Sequence, residues 1–230
     1  MVKQHLKRIA TPKTWNILRK SHTFITRPDA GAHAYTHATS LNTALKELIG
    51  LTRTTKETKR ALHEKEVLVD GKRRHDERFN VGFMDVISIP STKQHYRLGF
   101  TEKGKLTAFD IPEKEAGLKL TRVVGKQHVK GGKIQVQCND GRNLKLDKAD
   151  YTVGDSLLIT VPGQEVKQHL PLKEGASVTV YKGKHTGAHG VIKKLEGDSV
   201  EIETPEGQVN TSRAYAYVTG EKKPAIKCSR

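Results

Sequence analysis

Along residues 41–49 the apolar positions Leu41, Ala44, Leu45, Leu48 and Ile49 fall at offsets 0, 3, 4, 7 and 8, which predicts one buried stripe of a helix. Ser40 stands where an N-cap belongs, and Thr54 with Glu57 three residues later forms a capping-box signature for a second helix. Val67, Leu68 and Val69 then read as a strand turned by Asp70-Gly71, and 84–89 supplies another. From Tyr96 onward the period becomes two. Ile134, Val136 and Cys138 alternate with polar residues, Asn139-Asp140-Gly141 turns the chain, and Leu144 and Leu146 resume the alternation. Residues 157–161 read as a buried strand, and 113–118 as the last short helix. Val178 with Val180, Val191 with Ile192, and Val200 with Ile202 mark three further strands. Tyr215 and Tyr217 alternate as in a strand and are expected to pack.

The pattern predicts an α+β multidomain chain. A basic N-terminal arm (1–40) precedes a small α/β module (41–90), a central β domain (91–172), a small β-barrel (173–220) and a basic tail (221–230). Both β domains are expected to be mostly antiparallel. Hydrophobic content of 35% and aromatic content of 5% favour several small cores over one large one. Residues 1–39 show no sustained periodicity, so their composition predicts an arm that does not order itself in the free protein.

Charge changes the picture. Lys and Arg number 41 against 25 Asp and Glu, a formal net charge of +16. Residues 1–40 carry net +6, 41–90 net +2, 91–172 net +5 and 173–230 net +3. Such an excess repels itself, and an anionic partner with a long footprint is the simplest reason for it. Cys138 and Cys228 have no CxxC partner, which excludes a zinc ribbon or disulfide framework and suits a reducing cytosol. The histidines at 22, 33 and 37 match no common metal spacing. No apolar run approaches a membrane span, and the basic N-terminus lacks the apolar stretch of a signal peptide, so a soluble intracellular protein is expected, with no membrane partner.

The candidate binding residues are cations in four groups. Lys56, Lys59 and Arg60 share one face of the second helix, although Glu64 can pair with Arg60 and balance part of that charge. Lys72, Arg73 and Arg74 follow the Asp70-Gly71 turn at once. The arm holds Lys3, Lys7, Arg8, Lys13, Arg19 and Lys20, with Trp15 and Phe24 available to stack or anchor. In the loop 182–190, Lys182, Lys184 and His185 surround three glycines, which allow positive φ and close backbone approach; a plain β-turn is the competing reading there. Arg142, beside the Asp140-Gly141 turn, is a weaker candidate.

These residues carry a resemblance. Residues 41–89 resemble the S-four-type RNA-binding domain, through the leucine stripe, Thr-Lys-x-x-Lys-Arg at 55–60, Val-x-Val-Asp-Gly-Lys at 67–72 and Asp-Val-Ile-Ser-Ile at 85–89. Residues 175–192 resemble a KOW motif. With His-Leu-Lys-Arg-Ile-Ala-Thr-Pro-Lys-Thr-Trp at 5–15 and Gly-Gly-Lys-Ile-x-Val at 131–136, nearly the whole chain resembles the small-subunit ribosomal protein S-four-e family of archaea and eukaryotes. Segment 29–40 departs from the family's Pro-Gly-Pro-His pattern, and the short C-terminal segment points to the archaeal type.

The resemblance implies a cytoplasmic, structural constituent of the small ribosomal subunit, partnered by ribosomal RNA and neighbouring small-subunit proteins, with no cofactor and no small-molecule substrate. The cations at 56, 59, 60 and 72–74 match the RNA-facing helix and hairpin of the S-four-type module. Two rivals remain open. S-four-type modules also accompany pseudouridine synthases, yet no Arg-Leu-Asp element, Walker loop, HExxH, GxSxG or dinucleotide turn is present. A KOW barrel also suits a translation or transcription factor that binds transiently.

Overall fold

The computed structural model describes residues 4–64, 66–129, 131–146 and 150–228. The chain divides into two compact units, Met1–Gly99 with Lys105–Gly117, and Phe100–Gly104 with Leu118–Arg230. The sheets are mostly antiparallel, and helices are few and short.

The first unit starts its regular structure with strand β1 (Ala38–Ser40) and helix α1 (Leu41–Thr43). Ser40 caps this helix as its position predicts, its Oγ accepting from Thr43 N at 3.2 Å. The helix widens into a π-type segment, Ala44–Ile49, and stops at Gly50 in the left-handed region (φ 78°). Leu41, Ala44 and Leu45 are fully buried, whereas Leu48 and Ile49 are only half covered. Helix α2 (Thr55–Glu64) opens on the capping box: Glu57 N donates to Thr54 Oγ1 at 3.2 Å, and Glu57 Oε2 accepts from Arg53 N at 2.8 Å.

Strands β2 (Leu68–Val69) and β3 (Lys72–Arg73) form the hairpin. Asp70 and Gly71 both take positive φ (50° and 73°), the geometry whose twist suits a two-residue hairpin turn. Strand β4 (Asn80–Gly82) pairs with β1, while β5 (Val86–Ile89), β6 (Gln94–Phe100) and β7 (Leu106–Asp110) extend the hairpin into a sheet ordered β3-β2-β5-β6-β7. The sheet therefore runs past residue 90, where periodicity suggested a boundary. Periodicity marks strands but not the sheet they join.

The arm differs from its expectation. Trp15 is only 2% exposed, and Leu106 N of β7 donates to Thr14 O at 2.7 Å. Tyr35 packs its ring 5.4 Å from Trp15, and β1 belongs to the same stretch. Residues 1–40 lack a core of their own, but β4 and β7 supply the missing surface, which composition of the arm cannot register.

The second unit holds two five-stranded sheets. One, ordered β10-β9-β8-β11-β12, uses β8 (Leu118–His128), β9 (Ile134–Cys138), β10 (Asn143–Leu146), β11 (Ser156–Thr160) and β12 (Val166–Leu170). Helix α3 (Glu113–Ala116), of the first unit, precedes β8 in sequence. Val123, Val136, Cys138, Leu144, Leu157, Ile159 and Val161 form the core of that sheet. The other, ordered β16-β15-β14-β13-β17, uses β13 (Ser177–Val180), β14 (His189–Glu196), β15 (Ser199–Thr204), β16 (Gly207–Ser212) and β17 (Ala216–Gly220). Tyr217 is fully buried and its hydroxyl donates to Leu120 O at 2.7 Å, tying β17 to β8. The segment after β17 is not a free tail: Ala225 N donates to Thr219 O at 2.8 Å, and Ile226 and Cys228 are buried.

Candidate nucleic-acid interface

Helix α2 presents Lys56, Lys59 and Arg60 to solvent because Thr58 and Leu62 take the buried side. Two of the three cations are partly balanced. Lys59 Nζ lies 3.0 Å from Glu77 Oε1, and Arg60 Nε donates to Glu64 Oε1 at 2.6 Å. Hydrogen bonding from the Arg53 backbone N–H, chiefly, holds the Glu57 carboxyl below its ordinary range, so the cap stays ionised. Lys56 has no carboxylate partner among the described residues.

The hairpin adjoins the end of this helix. Arg73 Nη2 donates to His63 O at 3.1 Å, so the two cationic groups form one surface. Lys72 and Arg73 are exposed; Arg74 is half covered, its guanidinium 4.2 Å from the Phe79 ring centroid. Arg74 thus spends its planar face inside the unit. His63 and His75 stack at this corner, 5.9 Å apart and 23° from parallel. Sequence reasoning passed over that pair; two isolated histidines twelve positions apart carry no periodic signal.

The arm's candidates separate into two kinds. Arg8 is buried, donating from Nη1 and Nη2 to the two oxygens of Glu47 at 2.7 and 2.6 Å and from Nε to Leu18 O at 2.9 Å. Arg19 ties down carbonyls of Ile9, Thr11 and Pro12 at 3.2, 3.0 and 2.7 Å. These guanidiniums, with the buried Trp15, fold the arm. A guanidinium's five donors suit carbonyls and carboxylates as well as phosphates, and sequence does not distinguish the two uses. Lys7, Lys13 and Lys20 remain exposed, and Phe24 keeps its ring at the surface. Lys3 lies outside the described residues.

In the second unit, the loop between β13 and β14 exposes Lys182 and Lys184, with His185 half covered. Lys182 Nζ sits 5.5 Å above the Tyr215 ring. The glycines serve packing: a Cβ on Gly187 (φ 94°) would stand 1.9 Å from Thr101 O, and one on Gly190 would stand 2.1 Å from Glu203 O. Arg142 is engaged by Asp140, Nε to Oδ2 at 2.9 Å. Among the described residues no cluster of His, Cys, Asp and Glu is placed to hold a metal ion, and no helix is long and apolar enough to cross a membrane.

Sequence comparison places this surface in context. The chain is 38% identical to the small ribosomal subunit protein eS4 of Methanosphaera stadtmanae, an alignment covering 97% of this chain and 95% of the relative. The chain belongs to the S4e family of ribosomal proteins. Its eS4 relative in Methanocella arvoryzae is 36% identical over 99% of this chain and 98% of its own length. The model of ribosomal family S4e matches residues 92–166, and that of the RS4NT (NUC023) domain matches 2–36. The 30S ribosomal protein S4e from Thermoplasma acidophilum superposes with a TM-score of 0.70 at 28% identity, covering 80% of this chain and 96% of that one. The S4e assignment thus rests on nearly the full chain and includes the stretch 2–36 that composition marked as arm.

Proposed function

We propose that this chain is a structural constituent of the small ribosomal subunit in the cytoplasm, binding folded ribosomal RNA through phosphate contacts from several surfaces and touching neighbouring subunit proteins. It acts without catalysis, cofactor or small-molecule substrate. The observation that carries this reading is the set Lys7, Lys13, Lys20, Lys56, Lys72, Lys182 and Lys184: each is exposed, and none has a carboxylate partner among the described residues. Unpaired ammonium groups cost little in water and gain strongly when they release counterions from a polyanion. RNA helices are met mainly through phosphate, ribose and shape, so these residues position the protein and do not read bases.

The finer layout belongs to the same proposal. Residues 41–90 act as an S-four-type RNA-binding module whose sheet β6 and β7 complete, 118–172 as a central β domain and 173–220 as a KOW-type small barrel. They are flanked by the basic segments 1–40 and 221–230. The similarity of motif and the exposed cations on 1–40, 41–90 and 173–220 support this.

The test is binding of the full chain to small-subunit ribosomal RNA over a salt series, with co-sedimentation from cell extract. A constituent binds with a steep negative salt slope and sediments near-stoichiometrically with the small subunit. Indifference to RNA at low salt, or substoichiometric sedimentation that disappears in high salt, overturns it.

A further inference from the structure

Phe24 is 55% exposed although its backbone is locked on both sides. Arg8 N donates to Thr23 O and Ile25 N to Leu6 O, each at 3.0 Å, and Lys7 and Phe24 form an antiparallel bridge. The buried Arg8–Glu47 pair anchors this pairing to the helical segment. The ring is thus a platform on a held backbone, and His5 stands beside it with centroids 5.7 Å apart and planes 59° from parallel.

Next to the platform opens a cleft of about 290 Å³, lined among others by Arg8, Phe24, Thr26, Asn42, Lys46 and Thr55. Its floor is polar. Asn42, 3% exposed, donates from Nδ2 to Thr26 Oγ1 at 2.6 Å and to Thr55 Oγ1 at 3.2 Å, while its buried Oδ1 has no partner. Lys46 adds a cation to the lining, and the Glu47 carboxylate next to it is already paired with Arg8. An aromatic wall, a hydroxyl-lined floor and a cation together match one class of guest: a flat base with polar edges, carried on a phosphate. An aliphatic side chain would meet the ring but strip water from the hydroxyls without replacing their hydrogen bonds.

We propose that this cleft takes a single unpaired nucleotide of RNA, its base laid on Phe24 and its phosphate drawn to Lys46. The inference rests on the ribosomal-RNA reading above and adds to it a stacking site, since the phosphate contacts proposed there involve no base. Unpaired bases splayed onto aromatic rings are a general way for proteins to hold single-stranded RNA.

The test is an NMR titration of the isotopically labelled full chain with adenosine 5′-monophosphate and, separately, with ribose 5-phosphate. Saturable upfield shifts around Phe24, His5 and the Asn42 amide with the nucleotide alone are expected. Equal shifts with ribose 5-phosphate mean that only phosphate is held and overturn the proposal, as does the absence of saturable shifts. Phe24→Leu should weaken nucleotide binding by about fivefold or more, and Phe24→Tyr should retain it. The wild-type titration decides the matter by itself should Phe24→Leu fail to fold. A wild-type chain that binds small-subunit RNA yet shows no nucleotide response loses the cleft and keeps the ribosomal reading; a chain that binds no such RNA loses that reading.

Discussion

Arg8 and Glu47, 39 positions apart, meet in a two-point pair at 2.7 and 2.6 Å, with the arginine side chain 3% exposed and the glutamate 16%. This pair fastens residues from the N-terminal segment onto the helical segment. Removing one partner leaves the other charge largely buried. Arg8→Ala and Glu47→Gln should each destabilise the chain by about 3 kcal/mol. Urea unfolding of both singles and the double variant should show the double costing much less than the sum, the signature of direct coupling.

Truncating Trp15 should be among the most damaging single changes. The indole is buried and its neighbour Thr14 accepts from Leu106 N, so Trp15→Ala opens a cavity and should cost about 3–5 kcal/mol. A melting curve within a degree or two of wild type would mean that the buried indole adds little to the core.

The exposed cations of helix α2 should behave oppositely. Replacing Lys56, Lys59 and Arg60 together by Ala should change stability by less than about 1 kcal/mol, because the ion pairs of Lys59 and Arg60 are at the surface. The same variant should bind small-subunit RNA more weakly, with a salt slope shallower by about 1 for each phosphate that is no longer neutralised. An unchanged slope would remove this helix face from the interface.

Two glycines make a controlled comparison. Gly187→Ala drives a Cβ to 1.9 Å from Thr101 O at φ 94°, whereas Gly197→Ala, at φ 55°, meets nothing within 4 Å. The second should cost about 1 kcal/mol for the left-handed backbone alone. The first should cost clearly more, or fail to fold, as thermal melts of both variants would show.

Burial pushes the Cys138 thiol up to about 11. A thiol whose folded pKa lies above its unfolded value keeps full stability below the unfolded pKa, about 8.5, and loses it progressively as pH rises toward 11. Cys138→Ser, whose hydroxyl does not ionise, should therefore flatten the decline in unfolding free energy between about pH 8.5 and 11. In the native wild type at neutral pH, Cys138 should resist thiol reagents until denaturant is added.

Much of the local structure is legible in the sequence. Ser40 and the Thr54/Glu57 box mark real helix starts, and Asp70-Gly71 turns a real hairpin, because capping and turn geometry act over three or four residues. Lys56, Lys72 and Lys182 lie exposed for a similar reason: an unpaired ammonium stays in water unless something specific draws it in. Arg8, Arg19 and Arg74 are the candidate cations with partners inside the protein, and all are arginines. Their guanidiniums found a carboxylate, three carbonyls and an aromatic face inside the protein.

Chain chemistry alone settles helix caps, turns, strand alternation, the cationic character and, by motif order, the S4e family. Three-dimensional packing alone settles that Trp15 is core, that β6 and β7 complete the hairpin's sheet, and that residues 221–228 fold back on the chain. Capping and turning are contests among neighbours in sequence. Burial is a contest among surfaces that distant segments bring together, and no short stretch of sequence states who its partner will be.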